Sequence, residues 1–377
     1  MKMKILFIIT SSSFGGTENH LLNLIKSLTN AGVEVGIVCP KGGIFTEKEN
    51  VYYLDIKKEG FFKSLSFISK VIKKFRPNLI HTHLTRASYI GLTCKILYNI
   101  PIVATVHNLL GRSKAFNYSS NALFPENTDM AFKLIIFFGG KLIAVSNCIK
   151  EALVADKIDA SKVQVISNGT HFADMPVSQR NNEFRSKYGI NENHILVGVV
   201  GSVKKGKGQI LAVQALNLLP DEIKDRVRLV LIGKYNEDNY KQSIDDYVSE
   251  NNLQKNVIFA GVQTNMIDVY ADIDIFLHPS YSEACSMAVI EAMAEAKPIV
   301  LSNIPANSAI IDDGINGCLV ELNPSDIEAA LLKLISNDEL RKSLSSNARE
   351  KAVNFYSLEK MTANYIAFYK SNIKQTN

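Results

Sequence analysis

Short apolar runs alternate with longer amphipathic stretches along almost the whole chain. Runs at 5–10, 33–39, 79–81, 102–106, 142–145 and 163–166 predict one series of strands; those at 195–200, 227–232, 257–260, 273–277, 299–301 and 318–320 predict a second. Between them, the stretches 20–29, 63–75, 208–219, 240–251 and 324–334 repeat apolar residues at helical spacing. Strands and helices alternating through short turns specify parallel sheets. The series restarts after 174–193, a polar stretch rich in Asn, Ser and Arg that reads as a linker. Residues 357–371 predict a last helix, with Leu358, Met361, Tyr365 and Phe368 on one face.

At 377 residues the chain exceeds what one compact core usually absorbs, so two domains are expected. The expected architecture is α/β: two Rossmann-like, doubly wound parallel-sheet domains facing a cleft. The first covers 1–173, a linker follows at 174–193, the second covers 194–355, and a terminal helix fills 356–377. With 46% hydrophobic and 21% charged residues and no low-complexity tract, the composition is that of a folded soluble protein. The apolar start is too short for a signal peptide and runs into Ser11–Ser13, so it predicts a first strand. No run of about 18 apolar residues predicts a membrane span. Cys39, Cys94, Cys148, Cys285 and Cys318 are scattered and form no CxxC pair. They read as reduced thiols of a cytoplasmic protein.

Charge is unevenly spread. Residues 1–177 hold 21 Lys+Arg against 12 Asp+Glu, whereas the remainder holds 21 against 25. The basic half calls for an anionic partner: a phosphate-bearing acceptor or an anionic membrane surface. Nucleic acid is not expected, because no basic run is interleaved with aromatics. The stretch 57–76 sets Phe61, Phe62, Leu65, Ile68, Ile72 and Phe75 beside seven basic residues. It is either an amphipathic helix resting on the inner face of a membrane or a helix packed on its own sheet. The connection 109–140 is long and includes Arg112, Lys114 and Tyr118, which makes it a candidate acceptor pocket.

Ligands of open α/β sheets bind beyond the carboxyl ends of the strands. Gly15 and Gly16 follow the first strand and let backbone N–H groups approach a phosphate, or simply make a tight turn. His81 and His83 end one strand and His107 the next, each able to donate to a sugar hydroxyl or to be a half-buried structural histidine. After residue 200 come Gly201, Ser202, Lys204, Lys205 and Lys207, then a helix. Ammonium groups beside a helix N-terminus suit a pyrophosphate; the alternative is a solvated basic turn. Further on, Pro279 breaks a strand, Glu283 falls in the loop, and a helix capped near Ser286 runs through Glu291. The N–H groups of Cys285, Ser286 and Met287 then sit at a helix start. Glu283 can accept from ligand hydroxyls and Glu291 from a ribose diol, unless both are ordinary surface glutamates.

These residues resemble glycosyltransferase family 4, retaining sugar transferases of the GT-B fold. The spacing Glu283-x7-Glu291 matches that family's signature, accompanied by Gly261, 270–272, Pro279-Ser280, Pro298 and 314–317, and in the first half by 15–18, His107, 145–146 and 168–169. By this resemblance Glu283 contacts the sugar, Glu291 the ribose, Lys207 the diphosphate, and His107 lies beside the transferred sugar. The donor set it implies comprises Gly15, Gly16, Ser202, Lys204, Lys207, Gly233, Val262, Cys285, Ser286, Met287 and Glu291, while His83, Arg112 and Lys114 face the acceptor. No metal or other cofactor is implied: the nucleotide-diphosphate sugar is a co-substrate, and Lys207 with helix-dipole charge offsets the leaving group. The terminal helix is implied to cross back onto the first domain. Where the family commonly has Gly-Phe-Gly, this chain has Ala284, Cys285 and Ser286; Ser202 stands where arginine is frequent, and His171 where aspartate is.

The expected activity is hexosyl transfer from a nucleotide-diphosphate sugar to a glycan or lipid-linked glycan, in bacterial surface polysaccharide synthesis. Retention follows from the resemblance, and without an obvious carboxylate nucleophile in the first half a front-face mechanism is expected. A GT-B sugar-nucleotide epimerase and a non-catalytic nucleotide-sugar-binding protein are the alternatives.

Overall fold

The computed structural model describes residues 2–11, 16–42, 45, 50–107 and 128–373. They divide into two compact units, Met1–Gly169 with Leu358–Asn377, and Thr170–Ser357.

In the first unit, β1 (Lys4–Ile9), β2 (Glu34–Cys39), β3 (Val51–Tyr53), β4 (Leu79–His83), β5 (Ile102–Val106), β6 (Lys141–Ala144) and β7 (Val163–Val165) form one parallel sheet. Their order is β3-β2-β1-β4-β5-β6-β7. Because side chains alternate across a strand, β1 feeds two cores at once. Ile5, Phe7 and Ile9 pack with Leu21, Leu24 and Leu28 of the Gly16–Asn30 helix and with Met361, Tyr365 and Tyr369 of the Leu358–Asn372 helix. Leu6 and Ile8 meet Ile68, Ile72 and Phe75 of the Phe61–Phe75 helix on the opposite face.

The basic stretch is therefore the sheet-packed helix of the two sequence readings. Its apolar stripe is used by the core, and only Phe61 and Phe62, at 44% and 84% exposure, face solvent. In the terminal helix the buried stripe is Met361, Tyr365 and Tyr369, spaced by four. Tyr369 takes the place expected for Phe368, which is only partly buried. Strand β3 was not expected from the pattern. Its three residues are too few to show a period, and they pair as the edge beyond β2.

The second unit holds β8 (Ile195–Val200), β9 (Val227–Ile232), β10 (Val257–Gly261), β11 (Ile275–His278), β12 (Ile299–Ser302) and β13 (Cys318–Val320), in the order β10-β9-β8-β11-β12-β13 and again all parallel. Val197 and Val199 enter one core and Leu196 the other. Strand order reverses between β8 and β11, the place where open parallel sheets bind ligands beyond their carboxyl ends.

The polar stretch 174–193 lies within this second unit. Arg185, 1% exposed, anchors it by bonding the Asp274 carboxylate. Its Nε donates to Asp272 O at 3.1 Å, and its Nη1 donates to Asn191 O and His194 O, each at 3.1 Å. The Asp272 carboxylate in turn accepts from the backbone N–H groups of Asn182 and Arg185, at 3.0 and 3.1 Å. The stretch is largely exposed, but the buried Arg185 and its partners tie it to the second unit, so it is not a free connection.

Candidate active site

In the second unit two loops come together at this reversal. The loop after β8 contains Ser202, Lys204 and the short 3-10 turn Lys205–Lys207; the loop after β11 contains Glu283 and ends in the Met287–Ala294 helix. Glycines permit close backbone approaches here, Gly208 between these two loops and Gly233, after β9, against the β8 loop. At Gly208, φ is +67° and a Cβ would sit 2.1 Å from Pro279 O, so the loops touch backbone to backbone. At Gly233, φ is +147° and a Cβ would meet Gly201 O at 2.2 Å.

Lys207 Nζ donates to Glu283 Oε1 across this junction. His278 Nε2 lies 2.7 Å from the same oxygen. Since an ionised carboxylate only accepts, Nε2 carries the ring proton and donates. Ser280 Oγ is 3.0 Å and Ser286 Oγ 3.4 Å from that nitrogen. Burial alone pushes the Glu283 carboxyl up, but the Lys207 charge and the His278 bond hold it well below the usual carboxylate range. Burial keeps His278 low in spite of Glu283, so the ring is neutral. Behind the loop, Ser302 Oγ donates to Ser280 O at 2.5 Å, and Asn307 Nδ2 donates to Ser302 O at 2.9 Å. Such locked supports fix the carboxylate before any ligand arrives.

Ser286 caps the Met287–Ala294 helix without a side-chain cap bond, so a ligand anion can use the first-turn N–H groups. Glu291 projects from that helix, where Tyr270 OH donates to its Oε2 at 2.9 Å. Burial raises the Glu291 carboxyl to about 7, with the Tyr270 bond opposing.

Gly233 follows β9, and Val262, 60% exposed, follows β10. Ser202, Lys204 and Lys207 follow β8, and Cys285, Ser286, Met287 and Glu291 follow β11, so all come after strand carboxyl ends. An open pocket of about 740 Å³, lined by Lys205, Glu237, Tyr240 and Tyr281 among others, adjoins the same loops but includes none of the expected donor residues.

In the first unit Gly16 opens the Gly16–Asn30 helix, and Gly15, Arg112 and Lys114 lie outside the described residues. His83 is fully buried, so it is not a surface group for an acceptor. Its Nδ1 instead lies 2.8 Å from His107 Nε2, with the rings stacked at 5.1 Å. His81 is satisfied by Tyr369 OH and Thr105 Oγ1, both at 2.7 Å, which makes it structural through side chains. His20, unremarked in the sequence, packs edge-on to His107 with ring centroids 5.3 Å apart. Burial lowers all four imidazoles, His20 to about 4 and His81 to about 3, so they are neutral near pH 7.

Nothing in the sequence pattern assigns a role to Arg185, Tyr270, His278 or His20. A polar residue closing an apolar strand was the available signal for His278; the other three lie on helices where no pattern separates them from neighbours.

Comparison with known proteins bears on the family and the fold. Residues 14–173 match the profile of Glycosyltransferase Family 4, and residues 180–351 match Glycosyl transferases group 1. The chain is 25% identical to an Escherichia coli UDP-Gal:alpha-D-GlcNAc-diphosphoundecaprenol alpha-1,3-galactosyltransferase, covering 95% of this chain and 94% of that one. It is 24% identical to the Staphylococcus aureus capsular polysaccharide biosynthesis glycosyltransferase CapM, covering 93% of each. Among solved structures, Anabaena HepE in complex with UDP superposes with a TM-score of 0.82 at 20% identity, over 98% of this chain and all of the other. Sucrose-phosphate synthase from Thermosynechococcus elongatus gives 0.83 at 20% identity, over 98% and 99%. With profiles of the two halves spanning most of its length and both sheets wound as in these structures, the chain belongs to glycosyltransferase family 4 and has the GT-B fold.

Proposed function

We propose that this chain is a retaining, metal-independent hexosyltransferase that moves a sugar from a nucleoside-diphosphate sugar to a glycan or lipid-linked glycan during bacterial surface polysaccharide synthesis. The observation that carries the reading is the junction of Lys207, Glu283 and an open helix N-terminus at the reversal of strand order. A cation beside N–H donors suits a diphosphate, and a rigid carboxylate next to it suits the hydroxyls of the attached sugar. Glu291, on the same helix, accepts from the ribose diol; Ser202, Lys204, Gly233 and Val262 edge the nucleotide.

In this mechanism Lys207 turns from Glu283 to the diphosphate as negative charge grows on the leaving oxygen. Glu283, still held by His278, orients the sugar. The departing phosphate oxygen takes the acceptor hydroxyl's proton on the face where the new bond forms, which retains the anomeric configuration. His107 donates to the transferred sugar. The relatives' printed activities, a diphosphoundecaprenol-linked acceptor in one and capsule synthesis in another, support a lipid-linked acceptor. Among the described residues no helix is long and apolar enough to cross a membrane. Exposed Phe61 and Phe62 beside Lys57, Lys58 and Lys63 suit an anionic membrane surface instead.

Thermal shift with UDP, GDP, ADP and CMP should single out one nucleotide, by several degrees at saturating concentration. Transfer from the matching sugar nucleotide, with EDTA present, should then follow. Failure of all four to stabilise the protein overturns the reading.

The ribose contact has a pH signature. A carboxyl raised to about 7 is protonated below that pH and ionised above it, and the diol needs the ionised acceptor. Nucleotide affinity should therefore rise as pH increases from 6 to 8, by up to about tenfold, and then level. Titration calorimetry of Glu291→Gln should show weaker binding without that component. Parallel profiles for the two proteins would exclude Glu291 as the titrating contact.

A further inference from the structure

His83 and His107 close neighbouring strands β4 and β5, and their rings stack so that Nδ1 of one faces Nε2 of the other at 2.8 Å. Both are neutral, because burial and the other imidazoles disfavour a charge. A single proton therefore lies between the two nitrogens. The far nitrogen of His83, Nε2, is buried and has no partner among the described residues. That orphan decides where the proton sits. If His107 donated, His83 would carry its hydrogen on Nε2, leaving a buried N–H with no acceptor. If His83 donates from Nδ1, the orphan is a bare acceptor. Buried N–H groups without a partner are the rarer of the two defects.

We infer that His83 is a positioning residue: its Nδ1–H donates to His107 Nε2 and so places the His107 proton on Nδ1. His107 Nδ1 has no hydrogen-bond partner among the described residues. The pair thus turns a neutral ring into a donor of fixed direction at the carboxyl edge of the first sheet. Phe7, 5.9 Å from His83, and His20, 5.3 Å from His107, hold the rings from their other sides. A neutral N–H can stabilise charge developing on a sugar oxygen without giving up its proton. The kinetic part of this inference rests on the transferase reading above; the tautomer does not.

The test uses the full chain labelled with ¹⁵N-histidine, with His107 assigned by comparison with His107→Gln. Ring ¹⁵N shifts of the wild type should show His107 protonated at Nδ1. In His83→Leu the signal should move to the Nε2–H form or a mixture, and kcat should fall about 10²-fold while donor KM changes less than about threefold. His83→Asn, whose amide N–H stands near the place of Nδ1, should restore kcat to within about tenfold of wild type. An Nε2–H His107 in the wild type overturns the inference. So does a wild-type kcat in His83→Leu with a displaced tautomer. If His83→Leu does not fold, as judged by circular dichroism, the wild-type spectrum and His83→Asn decide. If no sugar is transferred at all, the functional reading fails while the spectrum still decides the role of His83.

Discussion

Glu283→Ala should abolish most transfer, at least about 10²-fold in kcat, while leaving nucleotide binding intact. The asymmetry follows from what Glu283 does before substrate arrives. It occupies Lys207, the cation wanted by the diphosphate, and both side chains are largely buried, at 10% and 20% exposure. Removing the carboxylate releases the ammonium, so affinity for a nucleoside diphosphate should hold or improve. The sugar loses its oriented acceptor, and that loss appears in the transition state. Lys207→Ala should do the reverse to binding. Losing charge-assisted bonds of about 1.5–3 kcal/mol predicts a nucleotide affinity weaker by about 10- to 100-fold. His278 then remains to hold Glu283. Because the two residues touch, the double variant should depart from additivity. Calorimetric binding and initial-rate assays read both quantities, and an unchanged Glu283→Ala turnover would sink the assignment.

A second large effect is expected far from that chemistry. Arg185→Met should destabilise the second unit by about 3–5 kcal/mol, since it strips a buried partner from Asp274 and leaves the Asp272 and His194 carbonyls without their donor. For a unit of this size that is a fall of about 10 °C in its transition, measured by scanning calorimetry. The first unit contains none of these partners and should melt as before. An unchanged second transition would show that the stretch 174–193 behaves as the free linker its composition suggested.

The apolar runs located the long strands within a residue or two, because strands buried on both faces must be apolar throughout. β5, β8, β9 and β13 match their expected bounds. β3 escaped because three edge residues carry no period. Among candidate site residues, the places of Lys207, Glu283 and Glu291 were legible because each stands in a segment after a strand end, where parallel sheets expose chemistry. The pairing of Lys207 with Glu283 was not legible. Their loops lie 76 positions apart, and only the β8–β11 adjacency makes them neighbours. His83 shows the converse: it stands at a strand end, yet it is buried among the rings of Phe7, His20, His81 and His107 and is absent from the surface.

The sequence alone determined the elements and their alternation, since periodicity is local and each strand or helix must bury its own apolar face. It also determined which residue types stand at the strand ends. Tertiary structure decided which ends meet, which carboxylate is ionised and which histidine is silenced. Those outcomes depend on strand order, burial and partner distance, and no local pattern encodes them. Glu283 and Glu291 are the same side chain eight positions apart; Lys207 holds one well below the usual carboxylate range, and burial lifts the other to about 7.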